Sequence, residues 1–130
     1  MPVMSMVLLA LPGWAQAAAA PPAPPPLSAA PPAFTAAQVE AGRSLYARQC
    51  AACHGAAHEG GEAGPALRGT AFMAKWGPRP WQELFEHTRR TMPVTQPAGL
   101  ARSQYEDLLA LMLSVNGQAP GATRLSAGDV

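Results

Sequence analysis

Two cysteines stand at positions 50 and 53, and a histidine follows the second directly: Cys50-Ala51-Ala52-Cys53-His54. The chain of 130 residues has no other cysteine. Two thiols three positions apart at a helix start can both reach one edge of a porphyrin. The next side chain then falls under the iron, where an imidazole nitrogen can ligate it. The spacing therefore predicts attachment of one c-type haem. A flat apolar cofactor of that size constrains everything else: it needs a small helical shell, a second axial ligand and export from the cytoplasm.

The first residues are read in that light. Val3 to Leu11 is a short apolar run, followed by Pro12-Gly13-Trp14 and then Ala15-Gln16-Ala17. An apolar stretch ahead of a small-x-small site has the shape of a secretory signal peptide, so residues 1–17 are expected to direct the protein to the periplasm and be removed. The run is too short to span a bilayer, and no spanning segment is expected after cleavage. No Lys or Arg precedes Arg43, so translation is expected to begin further upstream. Residues 18–33 are nearly all Ala and Pro, which predicts an exposed, semi-rigid polyproline linker. Residues 34–119 are expected to form the folded domain and 120–130 a flexible tail.

That domain is small for a self-sufficient core and is expected to be stapled by its cofactor. A disulfide between Cys50 and Cys53 would close too short a loop to serve instead. The net charge is +1 with no basic block, which argues against a nucleic-acid partner.

Helical spacing carries the rest. Thr35-Ala36-Ala37-Gln38 is a capping box ahead of a predicted helix over 36–49. A Gly-rich loop follows, then a short helix from Thr70 to Trp76 that ends before Gly77-Pro78. From Pro80 an apolar stripe runs through Trp81, Leu84, Phe85 and Thr88, with Arg89 and Arg90 in the last turn. Ser103-Gln104-Tyr105-Glu106 reads as another capping box. Its helix would bury Tyr105, Leu108, Leu109, Met112 and Leu113 and end at Asn116-Gly117. No strand pattern appears. The fold class is all-α, about four helices packed around one haem.

The second axial ligand is sought among Met73, Met92, Met112, His58 and His87. Met112 lies mid-stripe and reads as core. His87 lies off its stripe, and His58 in the Gly-rich loop; both read as solvated. Met73 could reach or could fill core space. Met92 follows a helix end and precedes a proline, so its loop can cross to the far face of the cofactor. It is the best placed.

The residues quoted so far, with Gly55, Gly64-Pro65-Ala66-Leu67 and Thr91-Met92-Pro93, resemble the class I c-type cytochromes over nearly all of residues 36–117. The block Leu84-Phe85 … Arg89-Arg90-Thr91-Met92-Pro93, then Gly99-Leu100 and Tyr105 … Asn116-Gly117, is similar to cytochrome c subunits and domains that accept electrons from quinoprotein dehydrogenases. The resemblance implies thioether bonds at Cys50 and Cys53, His54 as proximal ligand and Met92 as distal ligand. It further implies that the Pro65 carbonyl holds the His54 ring. Gly42 and Tyr46 would let the first helix cross the last closely near Tyr105 and Leu109, and Arg68 and Trp76 would meet the propionates. The chain does not continue into a dehydrogenase domain after Gly117, so a free carrier or separate subunit is expected.

Three other readings compete. Cys50, Cys53, His54 and His58 offer a zinc-like ligand set, but structural zinc usually draws on two separated pairs. A Cys-x-x-Cys redox pair works in a strand–helix context, and no strand precedes Cys50. A haem sensor with open or His-ligated iron would share the attachment motif. The expected function is one-electron transfer, not an enzymatic reaction. A dehydrogenase would be the donor and a terminal oxidase or another cytochrome the acceptor. The exposed rim of the cofactor is expected at Ala51, Ala52, Ala56 and Pro93.

Overall fold

The computed structural model describes residues 15–128, together with Pro2 and Gly13. The apolar run expected as a signal peptide lies outside the described residues. Among the described residues there are five helices: α1 (Ala36–Gln49), α2 (Ala51–His54), α3 (Thr70–Trp76), α4 (Trp81–Thr91) and α5 (Arg102–Val115). The single turn of α2 is the cysteine motif itself. The described residues hold no strand, only an isolated parallel bridge between Thr35 and Gly121.

The start of α1 follows its capping box. The Gln38 N–H donates to Thr35 Oγ1 at 3.3 Å, and Gln38 Oε1 accepts the Thr35 N–H at 3.2 Å. This satisfies two of the donors a helix start leaves unpaired. The box expected at Ser103 is displaced. α5 begins two residues earlier, at Arg102 with Ala101 as its N-cap, and Gln104 Oε1 reaches back to the Ala101 N–H at 2.8 Å. Glu106 is drawn instead to the Ala127 N–H at 2.9 Å.

α1 crosses α5 at Gly42. A Cβ there would run into the Asp107 carbonyl and press on Leu111. Val39, Leu45 and Tyr46 on one side, and Tyr105, Leu108, Leu109 and Leu111 on the other, are all buried at this crossing or beside it. α4 adds Leu84 and Phe85, and α3 adds Phe72 and Trp76.

Two segments differ from expectation. The Ala/Pro-rich segment is exposed over residues 15–25, but Leu27 is buried in the core. Its N–H donates to the Arg79 carbonyl at 2.7 Å, and the Ser28 N–H to that of Gly77 at 3.0 Å. The one large apolar side chain in the segment is what the core takes up. The expected flexible tail is also docked. Leu125 is 1% exposed. The buried Gln38 amide holds it from both sides, donating to its carbonyl at 3.0 Å and accepting its N–H at 2.8 Å. The Gly121 N–H bonds the Phe34 carbonyl at 2.8 Å, and Arg124 pairs with Asp107 at 3.3 Å. A side-chain amide can satisfy a backbone donor and acceptor at once, and that fastens a segment too short to form an element of its own.

Candidate functional site

The interior of this frame is a cleft of ≈ 330 Å³, walled by α2, the 63–67 loop, α3, α4, the 92–95 loop and α5. Its size falls within the range of small-molecule sites, roughly 300–1,000 Å³. Ala63, Leu67, Phe72, Leu84, Leu108 and Met112 make most of the lining apolar.

Cys50, Cys53, His54 and Met92 all face this cleft. Both thiols are free, Cys50 half-buried and Cys53 exposed. Burial, with Cys53 beside it, pushes the Cys50 thiol up to about 11, so it stays protonated at neutral pH. His54 is buried, and its Nδ1–H donates to the Pro65 carbonyl at 2.7 Å. A carbonyl can only accept, so the proton sits on Nδ1 and Nε2 keeps its lone pair. Pro65 thus stands where the resemblance implied.

The turn that places His54 is built by its neighbours. Gly55 adopts φ 87°, a conformation that favours glycine, and carries the chain away from α2. Its carbonyl accepts the Tyr46 hydroxyl at 2.6 Å. Burial, reinforced by the Cys50 and Glu59 charges, pushes the Tyr46 phenol up to about 12, so it remains a donor. Gly64 lies against the imidazole. A Cβ there would stand 3.1 Å from His54 Cε1 and Nδ1 and from the Cys53 carbonyl, so the loop approaches the ring as closely as only glycine allows.

The other candidate residues divide. Trp76 lines the cleft, flanked by Lys75 Nζ at 5.1 Å and the Arg79 guanidinium at 5.5 Å from its ring centre. Arg68 does not line it. It is exposed, its Nη1 directed to the Ala57 carbonyl at 3.5 Å. Lys75 lines the cleft where Arg68 was expected to contribute, and His87 lines it too, with its ring 5.1 Å from that of Trp76. Burial holds the His87 imidazole below its usual range, and Lys75, Arg79 and Arg90 add to the effect. Met73 faces other parts of the surface, and Met112 is core and cleft wall at once.

His58 departs from its expected solvation. It is 6% exposed, stacked on Tyr46 with ring centres 4.1 Å apart, and its Nε2 is buried without a hydrogen-bond partner. Among the described residues no group of three or more His, Cys, Asp or Glu is placed to hold a metal ion. Burial lowers the His58 pKa from 6.5, with Arg43 and Arg68 adding to the shift. A depressed pKa means that the fold favours the neutral ring. The stability this provides is full above pH 6.5 and is lost as pH falls toward the depressed value. Denaturant midpoints measured from pH 7 to pH 5 should therefore fall, and His58→Phe should flatten that slope. Equal slopes in both proteins would contradict this.

The donor set fits a c-type haem on its own geometry: two free thiols, a lone-pair imidazole nitrogen and a thioether around one apolar cleft. Residues 37–112 match the family described as cytochrome c oxidase, cbb3-type, subunit III. No curated protein matches the chain. Among solved structures, the sulfane dehydrogenase SoxCD from Paracoccus pantotrophus is similar at 23% identity and a TM-score of 0.49, over 70% of this chain and 54% of that one. The chain spans about half the length of that solved chain.

Proposed function

Because the chain belongs to the family of cytochrome c oxidase, cbb3-type, subunit III, and is thus an electron-transferring c-type cytochrome, we propose that it is a periplasmic one-electron carrier with a single haem c. The observation that supports this reading best is the convergence of Cys50, Cys53, His54 and Met92 on one cleft. When bound, the haem supplies a ferric/ferrous couple.

The chain's own residues do the rest. Cys50 and Cys53 anchor the group covalently, so it cannot dissociate when the protein meets a partner. The Pro65 carbonyl fixes the tautomer of His54 and aims Nε2 into the cleft. The Met92 thioether favours ferrous iron and raises the potential. Lys75 and Trp76 line the cleft and would offer a cation and an indole N–H to the carboxylates of the group. The apolar walls exclude water and keep the charge change in a low-dielectric setting.

The electron would cross at the rim of the cleft formed by Cys53, Pro93 and Val94; Ala51, Ala52 and Ala56, expected there with Pro93, do not line the cleft. Val94 is 72% exposed, the one exposed large apolar side chain among the described residues. A small apolar rim suits a brief interface, below about 1,200 Å² in total. The donor is a quinoprotein-type dehydrogenase, supported by the block around Arg89-Arg90-Thr91-Met92-Pro93. The acceptor is a terminal oxidase, supported by the family's description. No helix among the described residues is long and apolar enough to cross a membrane.

Fractionation and stopped-flow mixing test this reading together. The haem-loaded protein should come from the periplasmic fraction with a new N-terminus near Ala17, and should be reduced by the dehydrogenase. A cytoplasmic protein that keeps Met1, or one inert toward the dehydrogenase, would contradict it.

A further inference from the structure

Among the described residues, the Tyr105 hydroxyl makes the hydrogen bonds that tie the Met92 loop to the body of the core helix α5. It donates to the Met92 carbonyl at 2.7 Å and accepts the Leu100 N–H at 3.4 Å. One buried oxygen thus closes both ends of the loop. The other backbone bonds of this stretch are local. The Met92 N–H reaches Thr88 at 2.9 Å, that of Gln96 reaches Pro93 at 2.9 Å, and that of Ala98 reaches Arg89 at 2.9 Å. They close the loop on itself and on α4, and leave its position over the cleft to Tyr105. That residue is 1% exposed on the first turn of α5 and lines the same cleft as Met92.

We propose that Tyr105 is a positioning residue: its hydroxyl sets how firmly Met92 is held toward the iron. The inference rests on the reading of Met92 as distal ligand. The carbonyl it grips belongs to Met92 itself, one bond from the Cα that carries the thioether. Without the hydroxyl, that carbonyl and the Leu100 N–H lose their partner in a part-buried setting, and the loop gains freedom to lift. Loss of a buried hydrogen bond shifts such an equilibrium by about tenfold.

Imidazole titration of the full, haem-loaded ferric protein reads this shift, since imidazole competes with Met92 for its place. Tyr105→Phe keeps the ring and removes only the oxygen. It should raise imidazole affinity about tenfold and weaken the visible absorption specific to methionine ligation. In a Met92→Ala background, Tyr105→Phe should add nothing, because the residue through which it acts is gone. Equal gains in both backgrounds, or a lower thermal midpoint with unchanged imidazole affinity, would make Tyr105 a packing residue and overturn the proposal. If Met92→Ala alone leaves imidazole affinity unchanged, the distal-ligand reading fails, and this proposal with it.

Discussion

Met92→Ala should lower the reduction potential of the haem-loaded protein by on the order of 100 mV or more and open the ferrous iron to carbon monoxide. Axial ligands govern haem potentials over a wide range, and a thioether favours the ferrous state. For a one-electron couple, each tenfold change in relative stabilisation is about 59 mV. Met92 stands at the end of α4 with extended backbone, φ −122° and ψ 149°, where the chain leaves the helix and turns over the cleft. Alanine keeps that backbone and removes only the sulfur and its stem. The fold should survive, because Met92 is only partly buried and α5 carries the largest share of the core. Potentiometry with a carbon monoxide spectrum checks both effects. An unchanged potential with no carbon monoxide uptake would remove Met92 from the iron.

Gly42→Ala should cost stability, although helix propensity alone says the opposite. In an open helix position the change would stabilise by about 1 kcal/mol. Here the new Cβ would meet the Asp107 carbonyl and lie 3.1 Å from Leu111 Cβ, both on the facing helix. The carbonyl is backbone within α5 and cannot swing aside, so α1 must move away and the packed crossing opens. Overpacking of this kind costs about 1–3 kcal/mol. The net loss in a domain of this size should lower the thermal midpoint by roughly 5–10 °C. Because Tyr46 rides on α1 and the cysteine motif follows it directly, haem incorporation should fall with it. A higher midpoint would show that the helices do not meet at Gly42.

Much of this was legible in the sequence because local patterns carried it. The Thr35–Gln38 box and the stripe from Trp81 to Thr88 each act within a few residues, while the close crossing at Gly42 was implied by the family resemblance. The cysteine motif and the Met-Pro loop were legible because their chemistry demands one particular spacing and one particular break. The losses were long-range. Gln38 was read only as a capping residue, yet its amide also fastens Leu125 at the other end of the chain. Leu27, an isolated apolar residue among Ala and Pro, gave no periodic signal, and only the groove beside Gly77 and Arg79 explains its burial.

His58 and Arg68 failed for a related reason. A histidine in a Gly-rich loop looks solvated until the loop folds it onto Tyr46. An arginine shortly after the motif looks well placed, yet Arg68 lies outside the cleft with its Nη1 toward the Ala57 carbonyl. Lys75 carried no signal of its own. It lines the cleft only because α3 packs there by Phe72 and Trp76.

The central claim is that Cys50 and Cys53 hold the haem covalently. A haem-stained denaturing gel tests it most directly, run on the wild type beside a Cys50→Ser, Cys53→Ser double variant expressed with c-type maturation. A haem-stained band is expected at the polypeptide's position for the wild type, and none for the double variant. An unstained wild-type chain, or a double variant that still carries the stain, would contradict it.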